Sequence, residues 1–160
     1  MMSPATIPMI RHHEGVRYKP YRCPAHLWTI GVGHVMYPEQ GKLPVDQRKT
    51  FPLSPNDNRT FSKDEVDKTL EQDLRRFVVG VQRYCTGGLN PNRMGALVSF
   101  AFNVGLGTLQ RSTLRMKHNR GDYEGAAEEL MKYCKAAGKV LPGLLKRRND
   151  ERAMYTKEPE

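Results

Sequence analysis

The sequence predicts an α+β protein in which a small antiparallel β lobe and a larger helical lobe are joined by a long helix, with a cleft between the lobes. Three observations carry that expectation. Residues 16–37 are rich in β-formers, Tyr18, Tyr21, Trp28, Ile30, Val32 and Val35, broken by Pro20, Pro24, Gly31 and Gly33. From Val66, apolar residues recur at spacings of three and four through Leu70, Leu74, Phe77, Val78 and Val81, an amphipathic helix of roughly 30 Å. Beyond Gly87-Gly88, further helical patterns are punctuated by capping residues and glycines. The chain reads as one domain over 1–160. The small lobe and its loop cover about 15–61, the bridging helix about 62–84, and the helical lobe about 1–14 and 85–160.

In chain order, Thr6 is placed to cap a short helix over roughly 7–13, with Gly15 just past its end. Glu14 then falls at the helix C-terminus, where partial burial is expected. The next stretch forms a sheet of two or three strands. Alternation puts Trp28, Ile30 and Val32 on one face and Thr29 on the other, with Gly31 and Gly33 leaving room for a ligand or another backbone to approach. Residues 38–61 hold four prolines and no apolar periodicity, and read as a long loop. Ser62-Lys63-Asp64-Glu65 is a capping box that opens the long helix, which runs to about Tyr84.

Asn90 caps the following helix with Pro91 in its first turn, and Met94, Leu97, Val98, Ala101 and Phe102 form its apolar stripe up to Gly105. A short helix follows over Thr113–Asn119. Asp122 caps another, whose buried face is Ala126, Ala127, Leu130 and Tyr133 or Cys134, ended by Gly138. Pro142 opens the last helix, carrying Leu144, Leu145, Arg148 and Tyr155.

Lys and Arg number 26 against 17 acids, a net charge of +9, and from Arg93 to Lys157 there are 13 basic and 6 acidic residues. That balance favours a polyanionic partner: nucleic acid, an anionic membrane or bacterial cell wall. No helix-turn-helix signature, aromatic platform or zinc spacing supports nucleic acid. Nor does any apolar run approach the ~18 residues of a membrane span, so membrane insertion is not expected. Cys23, Cys85 and Cys134 make no disulfide framework and suit synthesis in a reducing compartment. His12, His13, Cys23, His26 and His34 fit no metal-ligand spacing, and neither metal nor cofactor is expected. The N-terminus lacks the apolar stretch and cleavage site of a signal peptide.

The chemistry concentrates between Arg11 and His34. Glu14 is followed after eight residues by Cys23, and Cys23 after five by Thr29, which opens the run Thr29-Ile30-Gly31-Val32-Gly33-His34. A carboxyl at a helix end and a hydroxyl in a glycine-rich strand suit a general acid and a positioned water. His34 is placed to pair with an acid on the long helix, Asp73 in preference to Glu71. Arg147 and Arg148 are read either as partners of an acid or as a solvated basic face.

The spacing of Glu14, Cys23 and Thr29 with Ile30-Gly31-Val32-Gly33-His34 resembles the phage-type lysozymes. Phe100-Ala101-Phe102-Asn103-Val104-Gly105 and the stretch from Pro142 through Arg147-Arg148 to Glu151 resemble two further motifs of that family, in the same order. The resemblance implies hydrolysis of the β-1,4 bond between N-acetylmuramic acid and N-acetylglucosamine in peptidoglycan, for host cell lysis at the end of phage infection. Glu14, Cys23 and Thr29 would be catalytic, Glu14 protonating the leaving oxygen. Phe102, Asn103 and His34 would contact the sugar. Many relatives carry aspartate where this chain has Cys23, which leaves three roles open for it: thiolate nucleophile, weak base for water, or a polar residue that shapes the site. The resemblance further implies a monomer, made in the host cytoplasm and released to the periplasm with the help of a holin. The competing classes are a peptidoglycan-binding module that has lost catalysis and a basic nucleic-acid-binding protein.

Overall fold

The computed structural model describes residues 1–159. Along the chain, helix α1 (Thr6–Glu14) precedes strands β1 (Arg17–Arg22), β2 (Trp28–Gly31) and β3 (His34–Val35). A 3₁₀ turn over Pro38–Lys42, the short helix α2 (Val45–Lys49) and a second 3₁₀ turn over Pro55–Asp57 lead to α3 (Lys63–Tyr84). Then come α4 (Pro91–Val104), α5 (Leu106–Gln110), α6 (Thr113–Asn119) and α7 (Tyr123–Leu130). A hairpin of β4 (Lys135–Ala136) and β5 (Lys139–Val140) follows, and α8 (Pro142–Thr156) closes the sequence of elements. The residues form two compact units, one of Glu14–Asp73 and one of Met1–His13 with the chain from Leu74 onward.

In the first unit, β1, β2 and β3 form an antiparallel sheet in that order. Tyr21 lies opposite Thr29, Arg22 opposite Trp28, and Ile30 opposite His34. The β1–β2 register shifts between Arg17 and Tyr21, around Pro20, which has no N–H to give the ladder. Gly31 has φ +66°, and a Cβ there would sit 2.8 Å from Val66 Cγ1 of α3. The close approach expected at this glycine is therefore made by a helix side chain. Capping of α3 is as the sequence predicts: Ser62 N–H donates to Glu65 Oε1 (3.0 Å) and Glu65 N–H to Ser62 Oγ (3.1 Å).

The stretch 38–61 departs from the long loop expected. Its short helices are held by buried polar side chains, a device that hydrophobic periodicity cannot reveal. Gln40 is fully buried, and its amide accepts from Trp28 N–H (2.9 Å) while donating to the carbonyls of His26 (3.0 Å) and Arg48 (3.1 Å). Tyr37 donates to Asp57 (2.6 Å) and accepts from Ser54 N–H (3.0 Å). Every partner lies in the same unit.

In the second unit α4 is the core, buried without interruption from Met94 to Ala101. Asn90 caps it through Arg93 N–H (2.8 Å), and Gly105, at φ +94°, ends it. Asp122 caps α7 through Gly125 N–H (2.9 Å), and Ser112, unremarked in the sequence, caps α6 through Arg115 N–H (3.0 Å). Thr6 is not a cap. It lies inside α1, fully buried, with its hydroxyl near Met154 Sδ and against Gly95, where a side chain would collide with it.

The helix expected to run to Gly138 stops at Leu130, and the hairpin replaces its end. Ala137 (φ +51°) and Gly138 (φ +77°) are its two central residues, the conformation of a type I′ turn. On α8, Leu145 is exposed, whereas Arg147 and Arg148 are buried and both meet Glu151, itself fully buried. Arg148 Nε lies 2.8 Å from Glu151 Oε1 and Arg147 Nε 3.2 Å from Oε2, while Ser99 Oγ donates to Oε2 at 2.6 Å. A buried carboxylate persists only when paired in this way, so these arginines are not a solvated basic face.

Candidate active site

Glu14 is the last residue of α1, and Gly15, at φ +77°, turns the chain out of the helix in the left-handed conformation that glycine adopts without cost. The carboxyl belongs to the sheet-bearing unit and borders an open hollow of about 430 Å³ whose walls include Gly15, Arg17, Tyr21, Gly31 and Gly33. Glu14 is exposed, not partly buried as the sequence suggested, and faces the open hollow. The preceding residue takes the inward place: His13 holds Asp150 at 2.7 Å with only 6% of its side chain exposed. Burial pulls the His13 imidazole below its usual range, against the upward pull of Asp150.

Cys23 leaves β1 into the turn 23–27. Its N–H donates to Leu27 O (3.0 Å), and its carbonyl accepts from His26 N–H (2.8 Å). His26 sits at φ +64° to complete the turn. Thr29, next to the turn on β2, is buried, and its hydroxyl donates to Leu27 O at 2.9 Å. Cys23 and Thr29 are brought together by the fold: burial pushes the Cys23 thiol up, but the backbone of Leu27 and Ala25 and the neighbouring Thr29 outweigh it. The thiol titrates below its ordinary range, so more of it is the nucleophilic thiolate near neutral pH. Tyr21, directly across the ladder from Thr29, also walls the hollow beside Glu14.

His34 Nδ1 lies 2.9 Å from Asp73 Oδ2, the partner the register favoured, and ties β3 to α3. Phe102 and Asn103 belong to the other unit. Phe102 packs edge-to-face on Phe77 with ring centroids 5.3 Å apart, and Asn103 Oδ1 accepts from Arg148 Nη2 at 2.7 Å. The residues that sequence reasoning passed over are Arg22, Gln40 and Arg48, which grip the backbone around Cys23. A polar residue that bonds carbonyls far along the chain leaves no periodic trace; the one local sign is the Arg22–Trp28 pairing, which stacks a guanidinium 4.3 Å over the indole.

A three-stranded sheet beside a long helix, a helical unit built on α4, and an acid at a helix end over a glycine-walled hollow define a lysozyme-like α+β protein. The chain belongs to the phage lysozyme family, which matches residues 11–151. It is 34% identical over 151 residues to an endolysin of Acyrthosiphon pisum secondary endosymbiont phage 1, covering 92% of both proteins. With an endolysin of Bacillus phage B103 it shares 35% identity over 156 residues, 96% of this chain but 53% of that protein, so it spans about half the relative's length. Among solved structures it is similar to a mutant of P22 lysozyme, with 28% identity and a TM-score of 0.78 over 98% of this chain and 99% of the other.

Proposed function

We propose that the chain is an endolysin that hydrolyses the β-1,4 bond between N-acetylmuramic acid and N-acetylglucosamine in peptidoglycan. The observation that carries this reading is the placement of Glu14 at the end of α1, over a hollow walled by Gly31 and Gly33, inside the matched family region. Glu14 donates a proton to the leaving glycosidic oxygen as the bond breaks. Cys23 supplies an anion for the positive charge that develops on the sugar and takes the proton that the attacking water gives up, its thiolate favoured by the backbone and Thr29 around the sulfur. Thr29 gives its proton to Leu27 O, which leaves its oxygen lone pairs to accept from the attacking water beside Cys23. Gly33, with nothing within 4 Å of where a side chain would stand, leaves room for a pyranose ring to come close to backbone. His34 acts through structure, fixing β3, the strand that pairs with the one carrying Thr29; Phe102 and Asn103 contact the glycan.

The protein acts as a monomer. It is made in the host cytoplasm and reaches the wall when a holin permeabilises the membrane. Cytoplasmic expression alone then lyses cells slowly, and prompt lysis without membrane damage would contradict that route. The activity itself is tested on purified peptidoglycan. Release of reducing ends is expected from the wild type and not from Glu14→Gln. Binding without release by the wild type would mark a wall-binding module instead.

A further inference from the structure

Two side chains outside the family's reactive set, Arg22 and Gln40, grip the same two carbonyls. His26 O accepts from Gln40 Nε2 (3.0 Å) and from Arg22 Nη1 (3.4 Å). Arg48 O accepts from the same two groups, at 3.1 and 2.7 Å. His26 lies in the turn that begins at Cys23, and Arg48 lies on α2, so each side chain straddles the gap between turn and helix. The clamp is completed on both sides. Arg22 Nη2 donates to Phe51 O (2.9 Å), which also accepts from Trp28 Nε1 (3.0 Å), and Gln40 Oε1 accepts from Trp28 N–H (2.9 Å). Arg48 returns a bond of its own, Nη1 to Ala25 O at 3.4 Å.

We propose that Arg22 and Gln40 are positioning residues for the Cys23 sulfur, holding the 23–27 turn that presents it. The turn needs such support. His26 occupies the left-handed region at φ +64°, a conformation that costs a non-glycine residue and persists only where surroundings fix it. The backbone donors of Ala25 and Leu27 that favour the thiolate belong to this same turn, so its geometry sets the electrostatics at sulfur. Gln40 is fully buried with its amide oxygen and nitrogen both engaged, and a shape-matched apolar side chain would leave the His26 carbonyl and the Trp28 N–H short of a partner. Arg22 brings several donors in one plane, which Lys cannot reproduce.

The proposal rests on the reading of Cys23 as a reactive group, and its test separates the two. Wild type, Arg22→Met, Arg22→Lys and Gln40→Met are alkylated with iodoacetamide across pH, and modification at Cys23 is read by peptide mass mapping. Lysis rates are measured in parallel, alone and in a Cys23→Ala background. The expected result is a Cys23 alkylation midpoint raised toward the ordinary thiol range in each variant, with Arg22→Lys intermediate. Lysis should fall by about 10-fold or more in Arg22→Met and by no further amount when Cys23 is already Ala. Should Arg22→Met not fold by circular dichroism, Arg22→Lys and Gln40→Met decide the matter alone. An unchanged alkylation midpoint in folded variants, or a full additional loss in the Cys23→Ala background, would overturn the proposal. The alkylation readout holds even if Glu14→Gln remains lytic, an outcome that would remove the acid role of Glu14 and leave the clamp standing.

Discussion

At the scale of the residue, the proposed chemistry turns on what surrounds one sulfur. Burial alone would hold the Cys23 thiol neutral, but the donors of Leu27, Ala25 and Thr29 reverse that effect. An aspartate in its place would meet the same donors and be ionised throughout the neutral range. Cys23→Asp is therefore expected to keep substantial lytic activity. Cys23→Ser, which offers no accessible anion near neutral pH, and Cys23→Ala should both lose on the order of 10²-fold or more. Lysis rates of the three variants, each checked for folding, measure this, and full activity in folded Cys23→Ala would show that the sulfur has no chemical role. Cys85 and Cys134 are buried, and burial pushes the Cys85 thiol up to about 11, so alkylating inactivation should track Cys23 alone.

At the scale of the element, the β4–β5 hairpin shows where local propensity yields. Lys135-Ala136-Ala137 reads as helix, yet the chain makes a tight turn with Ala137 at φ +51° ahead of Gly138. An L-residue with no polar side chain is strained there, and Asn is the residue a type I′ turn favours in that position. Ala137→Asn should raise stability by about 0.5–1 kcal/mol, seen as a higher denaturant midpoint at constant slope. A lowered midpoint would mean that the turn is not the one described.

Legibility divides along the same line. Capping by Ser62 and Glu65, Asn90 and Asp122 could be read because each interaction spans three residues. The His34–Asp73 pair could be read because strand end and helix register both point to it. The helices inside 38–61 could not, since Gln40 and Arg22 stabilise them through carbonyls of distant residues. Nor could the inward turn of Arg147 and Arg148, which depends on Glu151 and Ser99 meeting across α4 and α8. Of the site, Glu14, Cys23 and Thr29 were visible as a motif; the effect of Thr29 on the Cys23 sulfur and the clamp on the 23–27 turn required the fold.

At the scale of the whole molecule, acid sensitivity follows from histidine burial. His118 is fully buried with Nδ1 2.6 Å from the Tyr155 hydroxyl, and burial pulls its imidazole below the usual range, aided by Arg93 and opposed by a bond to the Gly87 backbone. The unfolded chain takes up that proton near the ordinary value of about 6.5 and the folded chain only at lower pH. Between those values the unfolded state binds more protons, so the stability is present above pH ~6.5 and is lost as pH falls below it. His13 contributes with the same sign. Thermal midpoints should be flat above about pH 7 and fall from about 6.5 downward, with a slope of at most about 1.4 kcal/mol per pH unit for each histidine. In His118→Gln the fall should be shallower; an identical fall would exclude His118 as its source.

The same scale holds the central proposal, a hydrolysis in which Glu14 gives the proton. Substitution by Gln keeps the size of the side chain and one of its oxygens but removes the acidic proton. The most direct measurement is the clearing rate of outer-membrane-permeabilised Gram-negative cells by purified wild type and Glu14→Gln at matched concentration, with folding verified by circular dichroism. The account predicts rapid clearing by the wild type and loss of at least about 10²-fold in the variant at unchanged thermal midpoint. Clearing by folded Glu14→Gln at near the wild-type rate would contradict it.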